Sequence, residues 1–412
     1  MRRVTGKIRL IIALSLVLAI SLSGGCTHVR GFDDHLRSIV KPYRFSIVDW
    51  ELATLFDGGS QSNPGGEIAD EPSQVIRYFS LVEQMRALKS EVKAIDNGDI
   101  SGDSTSLEAR LNMLEGQRAD LEDAVRRIMT KHIKTVLTEQ GIFNPIDKYI
   151  KLRINFPPIN FKLEQPPHLL VVSPRDRIES LREVNLRQNL ALEEMENIEA
   201  GIDALGVSSL VVKLGGFGGT YPTFVANDTN LRFTIDTAIE EWLHQYLVFK
   251  PLGFLYLLDV TGVARNYDIA TMNETVAGMI SKEIGVIVYE KYYSQYEGGD
   301  NQSQEEEPEF DFNREMREIR RAVDAYLAQG EIKQAEAFME ERRQFLALKG
   351  YYIRKLNQAY FAFHGAYADK PTSISPIGME LKQLRSQSAS IKGFLDTAAS
   401  MTSRQDLIGS IE

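Results

Sequence analysis

Thr237-Ala-Ile-Glu-Glu-Trp-Leu-His-Gln-Tyr-Leu247 is the stretch on which the reading of this chain turns. Glu240 and His244 stand four residues apart, so a helix projects both from one face, one turn above the other, with Glu241 beside them. Trp242, Tyr246 and Leu247 supply an opposite, apolar face. The pattern predicts a helix over about Thr234 to Val248. A second, over Ile269 to Tyr293, carries Met272-Asn273-Glu274-Thr-Val-Ala277, with Glu274 thirty residues after His244. Imidazole and carboxylates at such spacing are the ligand types of a divalent metal. The plainer reading is a solvated face of an amphipathic helix.

Working outward, His168-Leu-Leu-Val-Val-Ser173 reads as a short apolar strand, and Ser180 to Ala204 as helical. Ser208 to Leu214 is a second strand and Gly215 to Gly219 a glycine-rich turn. Tyr221 to Val225 is a third strand, which Pro222 marks as an edge. Upstream, Val75, Phe79, Val82, Met85, Leu88 and Val92 recur at helical spacing behind Pro72. Leu107, Leu111, Leu114, Leu121, Val125 and Ile128 keep a near-heptad rhythm behind a Thr105/Glu108 capping box. Residues 72–140 therefore predict an antiparallel helical hairpin, with a helical partner as the alternative occupant of its seam. Gly58 to Gly66 reads as a loop and Glu297 to Glu309 as an acidic linker. After Phe312 the pattern is helical, with a turn at Gly330, a helix from Tyr351 to Tyr367 and a last one from Ile377 to Ala399. The fold class is α+β, mainly helical. Its expected divisions are 1–26, 27–143, 144–296, 297–311 and 312–412.

The chain of 412 residues is 43% hydrophobic and 25% charged, enough apolar material for a sizeable core. A net charge of −10, without a basic stripe, argues against a nucleic-acid partner. Cys26 is the single cysteine, so no internal disulfide forms. Arg2, Arg3 and Lys7 precede an uncharged run from Leu10 to Leu22, and Ser23, Gly24 and Gly25 lead into Cys26. The segment resembles a bacterial lipoprotein signal, with Leu22 four residues before the cysteine. That resemblance implies export, lipid on Cys26 and anchoring to a membrane of the cell envelope. The alternative, an uncleaved anchor, has only Ile8 to Leu22, short of the ~20 residues a spanning helix needs. Phe249 to Val260 contains Lys250, Pro251 and Asp259 and does not qualify.

Glu240-Glu241-x-x-His244 followed by Asn273-Glu274 resembles the two signatures of the gluzincins, the thermolysin-like metallopeptidases, with glutamate in place of the first histidine. The likeness covers roughly residues 205 to 295. It implies a zincin-like core in 144–296: a small sheet with an edge strand plus two metal-site helices. In that reading His244 and Glu274 are ligands, Glu240 is a carboxylate ligand replacing imidazole, and Glu241 is the general base. Tyr221, Thr223 and Val225 would align a peptide or protein substrate by strand addition. The cofactor implied is one divalent metal: zinc first, with manganese or ferrous iron more competitive in so anionic a set. Gly278 stands where these enzymes keep an aspartate that supports a ligand. Within Asn357-Gln-Ala-Tyr360-Phe-Ala-Phe-His364-Gly-Ala-Tyr367, Tyr360 and His364 are candidate oxyanion donors. Arg342, Arg343 and Arg354 read as helix-surface ion pairs.

The function implied is a membrane-tethered metal-dependent peptidase, active or degenerate. The alternative is a lipid-anchored helical scaffold. A di-iron bundle would need a second Glu-x-x-His, and no other histidine has glutamate three residues before it. No Gly-x-Ser-x-Gly turn, Walker loop or dinucleotide fingerprint occurs.

Overall fold

The computed structural model describes residues 30–46, 70–96, 101–145, 155–296, 310–370 and 372–412. Cys26 with its leader, the Gly58–Gly66 loop and the acidic stretch 297–309 lie outside them. Among the described residues, no helix is long and apolar enough to cross a membrane.

After α1 (Arg30–Val40), α2 (Glu71–Asp96) and α3 (Thr105–Glu139) form the expected hairpin. Ion pairs Glu71–Lys131 at 2.8 Å and Lys89–Glu115 at 3.2 Å fix its antiparallel register. Leu81, Met85 and Leu88 bury against Leu114 within the pair, so the heptad seam is filled by the chain itself. The capping box does not form, because Thr105 is the first helical residue and Ser104 the cap. Asp103 Oδ1 accepts from the Thr105 N–H instead, at 3.0 Å.

Two small sheets follow. β1 (Phe161–Leu163) runs parallel to β6 (Thr223–Val225), and β5 (Gly216–Phe217) pairs antiparallel on the other side of β6. β2 (His168–Ser173) is the centre of the second sheet, between β3 (Arg182–Leu186) and β4 (Ser208–Lys213), all antiparallel. β2 alternates between two cores, which explains why it reads as an unbroken apolar run. Leu170 and Val172 face Ile198 and Ile202 of α4 (Leu192–Asp203), whereas Val171 faces Ala359 and Ala362. The helix expected over Ser180 to Ala204 is corrected to β3 plus α4. Leu181 and Val184 fit the helical spacing and Val184 and Leu186 the strand alternation, and pairing with β2 decides for strand. Asn189 at φ 56° then turns the chain into α4, where Glu194 accepts from the Ala191 N–H.

α5 (Leu231–Leu247) and α7 (Tyr267–Tyr292) pack side by side. Asn230 and Asn266 cap them by accepting from Phe233 N–H at 2.8 Å and Ile269 N–H at 3.2 Å. A Cβ at Gly285 would collide with Asp236 Oδ1, so glycine there permits the close approach. Between them the chain forms an unexpected helix, α6 (Pro251–Val260), with Pro251 in its first turn. α8 (Phe312–Ala328) and α9 (Ile332–Leu348) turn at Gly330, φ 75°, as expected.

The helix expected from Tyr351 to Tyr367 is only α10 (Gln358–His364), capped by Asn357. The last expected helix divides into α11 (Ile377–Gln387) and α12 (Ile391–Ala399), because Ser390 breaks off to accept from Gly393 N–H at 3.0 Å. α13 (Arg404–Ile411) ends the chain. One hydrophobic core joins Val125 and Ile133 of the hairpin, Ile239 and Leu243 of α5, Ile280 of α7, and Leu381, Phe394 and Leu407 of the C-terminal helices.

Candidate metal centre

Burial orients α5. Trp242, Tyr246 and Leu247 are at most 2% exposed, and Trp242 Nε1 donates to the Pro157 carbonyl at 2.8 Å. The opposite face therefore points at α7 rather than into bulk water, and it carries Glu240, Glu241 and His244. Donor atoms of Glu240, His244 and Glu274 lie within 4.8 Å of one another, with His244 Nε2 at 3.7 Å from Glu274 Oε2. Among the described residues this is the one cluster of three such ligands. Donors about 2 Å from a shared ion stand roughly 3.3 Å apart, so each side chain needs to move by less than about 1 Å.

Two unpartnered buried atoms test the fit. Glu240 Oε1 has no hydrogen-bond partner, although Glu274 and Glu241 both lie close enough to interact with this carboxylate. Asn273 is fully buried, with Nδ2 2.9 Å from His244 Nδ1 and Oδ1 unpartnered. Oxygen and nitrogen of an amide are interchangeable in shape. Turned over, Oδ1 accepts from Nδ1–H, and the Nε2 lone pair faces Glu240 and Glu274. That is how a metal-ligating imidazole is held in its tautomer.

The electrostatics agree. Burial, then repulsion from Glu240 and Glu274, pushes the Glu241 carboxyl well above the carboxylate range, opposed only by the Gly218 N–H. Glu240 is raised by burial, with His244 opposing and Glu274 adding to the rise. A cation among these groups relieves what is otherwise mutual repulsion.

Two tyrosines that the sequence reading did not single out complete the shell. Tyr256 of α6 donates to Glu274 Oε1, and its ring lies 5.7 Å from that of His244. Tyr367 lies beside Glu240 across Gly278, close enough to Glu240 and Glu274 for both carboxylates to raise its phenol. Burial raises both phenols far above their ordinary value, so each keeps its proton. The segment bearing Tyr367 is tied to α7 by Ala368 N–H donating to Thr275 Oγ1 at 2.9 Å and by Lys282 to Asp369 at 2.6 Å. Tyr367 was in view, three residues beyond His364, but periodicity cannot show which aromatic a loop will carry inward. Glu183 on β3 was hidden by the helical reading. Its exposed carboxyl, bonded by Ser180 Oγ at 2.6 Å, is pushed up by the surrounding protein and by Glu274.

Three expectations are corrected. Tyr221, Thr223 and Val225 do not form an edge: Thr223 and Val225 belong to β6, paired on both sides and unable to take up another strand. The edge beside the centre is β5, where a Cβ at Gly216 would collide with Glu241 Oε1 and one at Gly218 would lie 2.7 Å from Oε2. Tyr360 and His364 lie ring to ring, with centroids 4.3 Å apart and planes tilted by 46°, and no hydrogen bond joins either to Glu240, His244 or Glu274. Burial pushes Tyr360 up to about 12, and burial with Lys370 pushes His364 down to about 4. Arg342 and Arg343 pair with Glu315 and Glu340 as expected, but Arg354 reaches a buried partner, Glu199.

A Cβ at Gly278 would lie 3.7 Å from Glu240 Oε1 and 3.6 Å from Tyr367. An aspartate there would repel the Glu240 carboxylate and would support an imidazole in its place. Gly278→Asp will weaken divalent-metal retention about tenfold in the native chain and strengthen it in a Glu240→His background. Competition with a chromogenic chelator reads both constants; the same sign in both backgrounds removes Glu240 from the ligand set.

No protein-family model matches the chain, and no match was found among curated proteins or solved structures.

Proposed function

We propose that this chain is a metal-dependent peptidase of gluzincin-like design, lipid-anchored through Cys26 at the cell envelope. Glu240, His244 and Glu274 would hold one divalent ion, zinc before manganese or iron. The observation that carries this reading is the buried, unpartnered Glu240 Oε1 beside converging His244 and Glu274 donors. The ion, when bound, polarises the scissile carbonyl and makes water a stronger acid. Glu241 takes the proton of the attacking water and passes it to the leaving amine. Asn273 holds the His244 ring, Tyr256 holds the Glu274 carboxylate, and Tyr367 donates to the oxygen on which negative charge develops. The free edge of β5 takes the substrate backbone as an added strand, the role expected of Tyr221 to Val225.

Metal analysis of the full chain purified in detergent tests the ligand set. About one equivalent of a divalent ion is expected in the parent and well under that in Glu274→Ala, as for a three-ligand site losing one donor. A parent chain that holds no ion after incubation with zinc, manganese or ferrous iron leaves the tethered scaffold as the reading.

A further inference from the structure

α6 is apolar on both of its faces, and only one of them is covered. The inner face is fixed. Leu252 is fully buried, a Cβ at Gly253 would collide with the Leu247 backbone, and Leu255 and Tyr256 pack against the core. Asp259, also buried, accepts from the Asn266 N–H at 2.6 Å. Successive helical residues turn by about 100°, so Phe254, Leu257 and Leu258 share the opposite side. Phe254 is 52% exposed and both leucines are half-buried. The helix cannot rotate to cover them without withdrawing Leu252 and Tyr256.

The patch extends past both ends of the helix. Of the thirteen large apolar side chains exposed among the described residues, five fall within residues 249–267: Phe249, Phe254, Val260, Val263 and Tyr267. Exposure concentrated in this way marks an interaction surface, whereas single exposed residues do not. In a chain of net charge −10, the same stretch carries Lys250 and Arg265 against one acid, Asp259. That acid is buried and lies 3.9 Å from Arg265. The outer side is therefore apolar, with a basic residue at each end.

Its position supplies the occupant. Arg30 begins α1 four residues after Cys26, a reach of at most ~14 Å. With the proposed lipid on Cys26, on which this inference rests, α1 starts at the membrane surface. Asp33 in its first turn accepts from Arg182 Nε of β3 at 3.1 Å. Glu183, the next residue of that outer strand, is near enough to Arg265 and Asp259 to feel both charges. Neighbouring residues of a strand point to opposite faces, so the start of α1 and the end of α6 flank β3 at one margin of the fold. We infer that the outer face of α6 rests in the bilayer that holds the anchor. Phe254, Leu257 and Leu258 enter the top of the acyl layer, and Lys250 and Arg265 meet anionic headgroups. The ten residues of α6 make a helix about 15 Å long, half of the ~30 Å needed to span, so it lies on the membrane. Tyr256 of the same helix donates to Glu274, which sets the metal centre about one helix diameter from the lipid.

Fluorescence of the full chain reconstituted into phosphatidylcholine–phosphatidylglycerol vesicles tests this. Phe254→Trp and Tyr352→Trp both alter exposed side chains, and Tyr352, between α9 and α10, is 86% exposed. Trp50 and Trp242 of the parent supply the background to subtract. With lipids brominated high in the acyl chains, the signal added by Phe254→Trp should fall about twofold or more, and that added by Tyr352→Trp should not change. In a chain that floats with the vesicles, no quenching of Phe254→Trp, or equal quenching of both variants, overturns the inference and leaves the anchor standing. A blue shift of Phe254→Trp that grows with protein concentration, without quenching, assigns the face to a second copy and also overturns it. A chain that does not float overturns both the inference and the anchor. Metal content is unaffected by any of these results, so the ligand set stands or falls separately.

Discussion

On the proposed peptidase function, Glu241→Gln is expected to lower peptide hydrolysis by about 10²–10⁴-fold while the chain keeps about one equivalent of divalent ion, the range for removal of a general base. The expectation follows from where Glu241 sits. It adjoins Glu240 on α5 without belonging to the three converging donors, and its carboxyl lies against Gly216 and Gly218 of the β5 arm. Glutamine matches its shape and can keep the Gly218 contact, but it accepts no proton. The loss should appear in kcat with little change in KM, because the proton moves only on the way to the transition state. Glu274→Ala differs in kind: metal content falls together with activity. Parent-like turnover in Glu241→Gln, measured on a quenched peptide library, would reassign the base. Retained metal with no hydrolysis in the parent itself would mark a degenerate site.

The second large effect is on stability and lies away from the centre. Arg354→Ala will cost about 3–5 kcal/mol, because it strands a buried carboxylate. Glu199 of α4 is 3% exposed and accepts from the Val211 N–H at 2.7 Å. Arg354 Nη1 reaches Glu199 Oε2 at 2.9 Å, and its Nη2 bonds both to Oε1 and to the Val211 carbonyl, the latter at 3.0 Å. Lys355 approaches to 3.5 Å. The arginine thus clamps the stretch between α9 and α10 onto α4 and β4. Urea unfolding with an unchanged m-value measures the loss. Adding Glu199→Gln should recover part of it, since the stranded charge is then gone. A loss below about 1 kcal/mol would mean that the pair behaves like an exposed one.

Helical periodicity carried most of what could be read in advance. The spacing of Glu240 to His244, the Asn273-Glu274 pair and the hairpin seam are matters of which residues share a face within one helix. That face is set by backbone geometry over a few residues. The bounds of α5 and α7 and the turn at Gly330 follow from it, whereas the approach of Glu274 to Glu240 and His244 depends on α7 packing against α5.

Strand neighbours and loop docking are different, because their partners lie far along the chain. Whether Thr223 to Val225 forms an edge depends on β1 arriving on one side and β5 on the other. Whether Val184 belongs to a helix or a strand depends on β2 needing cover. Tyr256 and Tyr367 reach Glu274 only because α6 folds back between the two long helices and because Thr275 and Lys282 hold the 367–370 segment. Local sequence thus determined the helices and the chemistry they could carry. Long-range burial and pairing alone decided which strand is free at the edge and which phenols complete the centre, because such contacts are chosen by the free energy of the whole packed chain.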